Sequence, residues 1–385
     1  MKPSRLLASV ALSVVVLSGC RDRTRAPATS KPADSSTIEI TSTRLASGVF
    51  HTCRLAPGGL AYCWGDNRSG QLGDGTRARR ASPVAVSGGL TFTHLTAGYG
   101  HTCGLVSGGR AYCWGSNIYG QLGDGTRANR SSPVAVGGDL TFTQLAVGGG
   151  HTCGLASGGL AYCWGDNRSG QLGDGTRADR ASPVAVGGDL TFTQLSARAL
   201  YTCGLVSGGR AYCWGENDHG QLGDSTRSTR ALPAAVSGGL PFTQLSAGCG
   251  LVSGGRAYCW GDNGFGQLGD SSRTDRLTPV AVLGGITYTR LATGVVHTCG
   301  LASSGVAYCW GENDHGQLGD GTTTNRSSPV AVSGGLAITQ LAGGWWHTCG
   351  LASSGLAYCW GRNLYGVLGD GSTTSSTIPV AVASP

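Results

Sequence analysis

The 385-residue chain is poor in charge, in lysine and in long apolar runs. Only 13% of its residues are charged, only Lys2 and Lys31 are lysines, and there is a single methionine. No apolar run reaches the roughly 18 residues that a membrane-spanning helix requires. No window sustains the 3.6-residue apolar period of an amphipathic helix, so a helical bundle is disfavoured. The chain also lacks C-x2-C pairs, which disfavours a structural zinc site.

Glycine is abundant instead, with 68 residues, but without the Gly-X-Y period of collagen. Forty per cent hydrophobic residues and nine Trp still provide enough material for a packed core. Lys and Arg total 28 against 21 Asp and Glu, and the arginines are spread along the chain. Nucleic-acid binding requires a concentrated basic patch. We therefore expect a turn-rich all-β protein that binds no nucleic acid.

The N-terminal segment has the features of an export signal. Two basic residues precede an apolar stretch, and the Leu-Ser-Gly-Cys sequence ending at Cys20 resembles the bacterial lipobox. This resemblance implies removal of residues 1–19 and lipid attachment to the Cys20 thiol, so that the membrane is reached by a lipid anchor only. An ordinary cleaved signal is the alternative. We expect a protein of the bacterial cell envelope, on the outer membrane if the cell has one.

Residues 20–37 are rich in Ser, Thr, Pro and Ala and have no apolar period, which predicts a disordered tether. Residues 38–385 consist of seven copies of one unit. Tyr-Cys-Trp-Gly recurs at a spacing of 50 residues, with one spacing of 46. Each copy continues through Gly-x-Asn-x-x-Gly-Gln-Leu-Gly-Asp to a proline, with Val367 in place of Gln in copy seven. A second apolar run then leads into His-Thr-Cys in most copies.

Each copy therefore holds about four short apolar runs separated by Gly, Asn, Asp and Pro, a pattern typical of strands and turns. Seven such units predict a seven-bladed β-propeller with about four short antiparallel strands per blade. A linear β-solenoid is the structural alternative.

These motifs resemble those of the regulator of chromosome condensation repeat family. The matching parts are Gly-x-x-His-Thr, Tyr-x-Trp-Gly, Asn-x-x-Gly-Gln-Leu-Gly and the proline that follows, and they cover residues 40–383 almost completely. The resemblance implies a seven-bladed propeller. Through the family's eukaryotic namesake it also implies guanine-nucleotide exchange on a small GTPase as an alternative function. An exported, disulfide-bonded propeller would not meet a cytosolic GTPase, so we rank that activity below partner binding.

Fourteen of the fifteen cysteines form pairs ten residues apart around a glycine-centred turn. Folding such a segment as a hairpin places its two cysteines directly opposite each other on one face of the sheet, close enough for a disulfide. We expect each bond to stabilise the exported protein by roughly 2–3 kcal/mol. Unpaired core cysteines are the alternative. The predicted pairs are Cys53–Cys63, Cys103–Cys113, Cys153–Cys163, Cys203–Cys213, Cys249–Cys259, Cys299–Cys309 and Cys349–Cys359.

Nothing in the sequence indicates an enzyme, and we expect no catalytic residue, cofactor or metal. The histidine of His-Thr-Cys is replaced by Tyr201 in copy four and is missing from copy five, so we predict a structural, hydrogen-bonded role for it. The Asp that ends Gly-Gln-Leu-Gly-Asp suits a local Asx-type turn. A calcium loop is disfavoured, because the alternating acidic pattern and the terminal Glu are missing.

Positions at which the copies differ are the best candidates for partner recognition. One set lies just before His-Thr-Cys, and the other lies between Tyr-Cys-Trp-Gly and Gly-Gln-Leu-Gly. Trp and Tyr are enriched at interface hot spots, although local packing between blades is the alternative. The predicted partner-binding residues are Phe50, Tyr99, Leu200, Trp345, Trp346, Ile118, Tyr119, Phe265, Leu364 and Tyr365.

Arginines form a third recurrent set, which thins in copy six and vanishes in copy seven. The set either attracts an acidic partner or an anionic envelope polymer, or it keeps the loops soluble. Its members are Arg77, Arg80, Arg127, Arg130, Arg177, Arg180, Arg227, Arg230, Arg273, Arg276 and Arg326. The sequence thus predicts a monomeric, lipid-anchored, extracytoplasmic scaffold that binds an unidentified protein partner with one propeller face. The alternatives are nucleotide exchange and binding to a cell-wall polymer or glycan.

Overall fold

The computed structural model describes residues 45–385, so the predicted signal peptide, the Cys20 lipid site and the tether lie outside the described residues. This part of the chain forms 28 β-strands and contains no α-helix, and hence none long and apolar enough to cross a membrane. The strands make seven four-stranded sheets, each built from four consecutive strands in sequential order. Neighbouring strands within a sheet are antiparallel.

The seven sheets are the blades of a β-propeller, numbered here in chain order. Blade 1 contains β1 (Leu45–Ser47), β2 (His51–Leu55), β3 (Ala61–Gly65) and β4 (Arg80–Ala85). Blade 2 contains β5 (Phe92–Ala97), β6 (His101–Val106), β7 (Ala111–Gly115) and β8 (Arg130–Ala135). Blade 3 contains β9 (Phe142–Val147), β10 (His151–Ala156), β11 (Ala161–Gly165) and β12 (Arg180–Ala185).

The remaining four blades repeat this arrangement. Blade 4 contains β13 (Phe192–Arg198), β14 (Tyr201–Val206), β15 (Ala211–Gly215) and β16 (Arg230–Ala235). Blade 5 contains β17 (Phe242–Ser246), β18 (Cys249–Val252), β19 (Ala257–Gly261) and β20 (Arg276–Ala281). Blade 6 contains β21 (Tyr288–Thr293), β22 (His297–Ala302), β23 (Ala307–Gly311) and β24 (Arg326–Ala331). Blade 7 contains β25 (Ile338–Gly343), β26 (His347–Ala352), β27 (Ala357–Gly361) and β28 (Ser376–Ala381).

The second and third strands of each blade form a tight hairpin closed by a disulfide. In blade 2, Gly108 and Gly109 turn the chain with φ angles of 84° and 81°, which only glycine adopts without strain. This turn sets a register in which Cys103 directly opposes Cys113, with their Cα atoms 4.1 Å apart and their sulfurs bonded. The same disulfide occurs in every blade, so all seven predicted pairs are confirmed.

The hydrophobic core lies between neighbouring blades and explains the Gly-Gln-Leu-Gly motif. The indole of Trp114 in blade 2 is fully buried against Leu72 of blade 1. Its Nε1 donates to the carbonyl oxygen of Gln71 at 3.0 Å. A Cβ on Gly73 would lie 2.7 Å from that Nε1, so only glycine leaves room for the ring. The Gln-Leu-Gly segment of one blade therefore forms the surface against which the tryptophan of the next blade packs.

The ring closes between blades 7 and 1. The inner strand β1 contacts both β5 of blade 2 and β25 of blade 7. At this seam, Gln340 Nε2 donates to the Leu45 carbonyl at 3.0 Å, and Trp64 Nε1 donates to the Val367 carbonyl at 2.8 Å. The glutamine bond recurs between blades 3 and 4 and between blades 4 and 5. The tryptophan bond recurs between blades 1 and 2, 2 and 3, 4 and 5, and 6 and 7, so the seam is bonded like internal boundaries and the solenoid alternative is wrong. No sheet combines strands from the two ends of the described chain.

Candidate functional site

Both variable sets predicted from the sequence lie on one face of the propeller. The loop after the first strand and the loop after the third strand of a blade emerge on the same side, because successive strands run antiparallel. In blade 1 these are residues 48–50 and 66–79. We call this side the variable face. The hairpin turns between second and third strands lie on the opposite side, which we call the turn face.

Five predicted partner-binding residues meet where blades 7, 1 and 2 adjoin, and we call them the aromatic cluster. Trp345 and Trp346 stack with their ring centroids 4.3 Å apart. Phe50 lies 6.0 Å from Trp345 and 5.1 Å from Tyr365, and Tyr99 stacks on Trp345 at 6.0 Å. Tyr99 is 37% exposed and the other four are half-buried. The cluster is therefore a surface of packed rings that is still accessible to a partner.

Two arginines lie at the border of the aromatic cluster and contact its rings. The guanidinium of Arg362 lies 4.6 Å from the centroid of Trp346, and that of Arg79 lies 4.5 Å from Tyr365. Such cation–π contacts favour a fixed side-chain position. Arg79 Nε is also 3.1 Å from the Asp66 carboxylate, which anchors the arginine from its other side. The cluster thus combines apolar rings with a cationic border.

A groove of about 570 Å³ continues from the aromatic cluster across blades 1 to 4. Five predicted residues line it: Phe50, Tyr99, Ile118, Tyr119 and Leu200. The guanidinium of Arg168 lies 4.6 Å over the Tyr119 ring. The side chain of Ile118 is 55% exposed, so an apolar group is available in the groove.

Two predicted residues stand beside or apart from this surface. Leu364 is 51% exposed and adjoins Phe50 and Tyr365. Phe265 occupies the corresponding loop of blade 5 and, among the described residues, makes none of the ring contacts above. Variability itself is an imperfect guide to exposure. Val49 and the pair Gly149 and Gly150 belong to the variable set that the sequence predicts to be accessible, but they are buried.

About half of the recurrent arginines have a structural role. Arg80 Nη2 lies 3.0 Å from the Asp74 carboxylate, and the second arginine of blades 2 to 5 and Arg326 of blade 6 bind the equivalent Asp. Asp74 also accepts the backbone amide of Thr76, which confirms the Asx-type turn. Partial burial raises the pKa of Asp74, but hydrogen bonds from Thr76 and Arg80 outweigh it and lower the pKa below its usual range. The exposed remainder includes Arg77, Arg177 and Arg273.

The recurrent histidines lie inside the ring and do not reach the surface. His51 is fully buried, and its Nε2 is 2.8 Å from Thr102 Oγ1 of the next blade. Because Thr102 donates its own proton to the Gln71 carbonyl, His51 is the donor in this bond. Burial lowers the pKa of His51 to about 4, so the imidazole is neutral. The predicted structural role is confirmed.

Blades 4 and 5 depart from the common pattern, and the residue involved that was not predicted is Arg198. Arg198 stands where five other blades have glycine, and Tyr201 stands where they have histidine. The Arg198 guanidinium donates to the Ala247 carbonyl of blade 5 at 3.5 Å and, past that shortened blade, to the Val295 carbonyl of blade 6. The sequence does contain a signal for this irregularity. Copy four lacks both the Gly and the His, and the copy that follows it lacks His-Thr.

Fold and site together define a disulfide-linked, seven-bladed propeller with one variable face. The model of the RCC1-like domain matches residues 141–385. Two models of the regulator of chromosome condensation (RCC1) repeat match residues 58–105 and 108–155, and residues 43–71 and 92–121. The chain therefore belongs to the RCC1 repeat family, as its motifs predicted. A search of curated protein sequences found no match.

Solved structures share the fold at low sequence identity. Prp20p from Saccharomyces cerevisiae, described with its binding properties to Gsp1p and histones, is 21% identical, with a TM-score of 0.76 over 86% of this chain and 87% of that one. Human WBSCR16 is 23% identical, with a TM-score of 0.73 over 80% and 85%. The ectodomain of the Arabidopsis thaliana receptor kinase ACR4 is 20% identical, with a TM-score of 0.56 over 88% and 97%.

Proposed function

We propose that this protein is a lipid-anchored, extracytoplasmic scaffold that binds a protein partner through its variable face and catalyses no reaction. The observation that carries the proposal is the aromatic cluster with its arginine border. Trp, Tyr and Arg are the residue types that dominate binding energy at protein interfaces. Here they come together from three blades on the face that carries both variable sets, next to an open groove.

The cysteines support the extracytoplasmic compartment. Seven disulfides persist in an oxidising environment and are rare in a reducing cytosol. The Leu-Ser-Gly-Cys sequence supports lipid attachment at Cys20. Relatives support protein binding as a use of the fold: Prp20p is described with binding to Gsp1p and histones, and yeast RCC1 (Prp20) has been solved bound to Kap60.

The test compares two triple variants of the mature chain. One removes the aromatic cluster (Tyr99→Ala, Trp345→Ala, Trp346→Ala). The matched control removes three exposed leucines from the turn face (Leu60→Ala, Leu160→Ala, Leu356→Ala), which are 46%, 54% and 52% exposed. Each protein is immobilised and exposed to envelope extract, and retained proteins are identified by mass spectrometry. Circular dichroism and a free-thiol assay establish that both variants are folded with their disulfides intact.

We expect one partner to be retained by the wild-type protein and the control, but not by the aromatic variant. With that partner purified, loss of the three rings should weaken binding at least 100-fold, because hot-spot truncations each cost about 2 kcal/mol or more. Equal retention by the wild-type and aromatic variants would place the interface elsewhere and contradict the proposal. Retention of a polysaccharide in place of a protein would also contradict it.

A further inference from the structure

Three metal-ligating side chains come together where blades 4 and 5 meet on the variable face. His219 belongs to the loop after β15, and Asp262 and Asp275 belong to the loop after β19. Each offers one donor atom, and these atoms all lie within 4.8 Å of one another. His219 Nδ1 is 2.9 Å from Asp275 Oδ2. One imidazole and two carboxylates, from two blades, thus surround a common point.

Two of the three residues, His219 and Asp262, line a cavity of about 170 Å³ together with Glu216. Gly248 and Cys249 line the cavity too, and between them blade 5 lacks the four residues, including His-Thr, that the other blades carry. The cavity is therefore associated with the irregular blade. The site lies in a place where the sevenfold repeat is broken.

A buried amide without a partner lies in the same cavity. Gln267 is 2% exposed and lines the cavity, and its Nε2 has no hydrogen-bond partner. In blades 1, 4 and 6 the equivalent glutamine donates to the acid five residues before it, as Gln221 does to Glu216 at 3.3 Å. In blade 5 that acid is Asp262, and it accepts the Gly264 amide instead, at 3.1 Å. The carboxylate of Asp262 is thus not engaged by the glutamine that binds its counterparts.

The unpaired glutamine of blade 5 differs from that of blade 3 in what binds the neighbouring acid. Gln171 also lacks a partner, but there Arg168 binds the acid, with Nε 2.9 Å from Asp166 Oδ1. The position of Arg168 is taken by Gly264 in blade 5, so the arginine that binds the acid in blade 3 has no counterpart there. Two cations are nearby. Arg198 lines the cavity, with its guanidinium bound to the Ala247 and Val295 carbonyls. Arg227 Nη1 lies 3.5 Å from Asp275 Oδ2, and its side chain is 52% exposed. Its Nη1 also donates to the carbonyl oxygen of Asp218, so the guanidinium has a second acceptor besides Asp275.

Blade 6 carries the same local sequence as blade 4 in a different environment. Both loops read Glu-Asn-Asp-His, with the histidine at position 219 or 315. His315 faces Trp346, with ring centroids 5.7 Å apart, and the neighbouring blade offers Arg362 and Ser375 at the positions of Asp262 and Asp275. Among the blade boundaries within residues 45–385, only that between blades 4 and 5 therefore combines this histidine with two carboxylates.

We propose that His219, Asp262 and Asp275 bind one divalent transition-metal ion of the zinc type, leaving at least one coordination position for water or for a partner. Imidazole with carboxylate suits Zn²⁺ and its neighbours, whereas Mg²⁺ and Ca²⁺ prefer an all-oxygen set. The site shares the variable face with the aromatic cluster but uses none of its residues. The proposed metal site therefore does not depend on the proposed protein binding.

The experiment uses the full chain without a histidine tag, stripped of metal by a chelator and then titrated with Zn²⁺ in a calorimeter. Co²⁺ absorption in the visible range reports the coordination directly. We expect one ion per chain and at least ten-fold weaker binding in His219→Gln, Asp262→Asn and Asp275→Asn. The last variant keeps the fold, because Asn129 makes the same loop-closing bond to Asn117 N in blade 2 that Asp275 makes to Asn263 N.

The matched control is His315→Gln, which alters the same local sequence in blade 6 and should bind Zn²⁺ like the wild-type chain. Thermal unfolding identifies any variant that fails to fold. The proposal is overturned if the wild-type chain binds no Zn²⁺, if the three site variants bind as tightly as the wild type, or if His315→Gln weakens binding as much as His219→Gln.

Discussion

His101 fills the space that Gly98 leaves at the inner side of blade 2, and the pair joins blade 2 to blade 3. A Cβ on Gly98 would lie 2.6 Å from Val147 Cγ1 and 2.8 Å from His101 Cε1, so the glycine is required wherever the histidine is present. The imidazole is fully buried, and its Nε2 is 3.0 Å from Thr152 Oγ1. Burial, together with the neighbouring His151 and His51, lowers the pKa of His101 from 6.5 to about 3.

Acid should destabilise the protein through this histidine and its four counterparts. In the unfolded chain the imidazole takes up a proton as the pH falls through about 6.5, whereas in the folded chain it stays neutral down to about 3. Stability therefore falls over that window, by about 2 kcal/mol per buried histidine between pH 7 and pH 5. In His101→Gln this difference should shrink by one histidine's share, measured from urea unfolding followed by tryptophan fluorescence.

The control for this prediction is Thr152→Val, which removes the hydrogen-bond partner but keeps the buried imidazole. It should lower the free energy of unfolding at both pH values while retaining the full acid sensitivity. If His101→Gln is as acid-sensitive as the wild-type protein, the buried histidines are not the source of the pH dependence.

At the scale of elements, Arg198 and Tyr201 compensate for the shortened blade 5. Blades 1, 2, 3, 6 and 7 carry a glycine and a histidine at these positions, and each histidine bonds a threonine in the following blade. Blade 5 has no such threonine to offer blade 4. The long arginine side chain instead reaches the backbone of blades 5 and 6, and the buried Tyr201 ring lies beside it.

The double variant Arg198→Gly, Tyr201→His restores the common sequence of blade 4 and should destabilise the wild-type chain. We expect a loss of several kcal/mol, because two bonds to carbonyls vanish and a large buried ring is replaced by a smaller one. The same double variant should be tolerated far better when Val-Val-His-Thr is inserted between Gly248 and Cys249. Urea unfolding of the four chains, with and without the insertion, measures the coupling. Equal losses in both backgrounds would show that the two changes are independent of the short blade.

Elements within one blade were predictable from sequence, whereas contacts between blades were not. The hairpin around Gly108 and the Cys103–Cys113 bond follow from a ten-residue spacing and the geometry of antiparallel strands. The contact of Trp114 with Gln71 and Gly73 depends on how two blades pack. The spacing of the repeats does not encode that packing. The five residues of the aromatic cluster were predicted only as separate members of a set of ten candidates. The cluster assembles only because the ring closes and brings Trp345 beside Phe50, although the two residues are far apart in the sequence.

At the scale of the whole molecule, the ring is held shut only by contacts across its seam. Each blade is made of consecutive strands, so no strand from one end of the described chain completes a sheet at the other. Yet the seam repeats the bonds of an internal boundary. Thr52 Oγ1 is 3.0 Å from His347 Nε2 across the seam, as Thr102 Oγ1 is 2.8 Å from His51 Nε2 between blades 1 and 2. The seam should therefore be as strong as the boundary between any two linked blades.

Thr52→Val and Thr102→Val test this equality, because both residues are fully buried and each variant removes one interblade bond to histidine and one bond to a carbonyl. Leaving these buried groups unpaired should lower the free energy of unfolding at pH 7 by about 1–3 kcal/mol. We expect the two losses to agree within about 0.5 kcal/mol, since the two variants delete the same interaction at equivalent sites. Thr202→Val, at the boundary of blades 3 and 4, supplies a second internal reference. If the seam opens in solution, Thr52 is already exposed to water. Thr52→Val would then hardly change the free energy of unfolding, whereas Thr102→Val and Thr202→Val would still lower it.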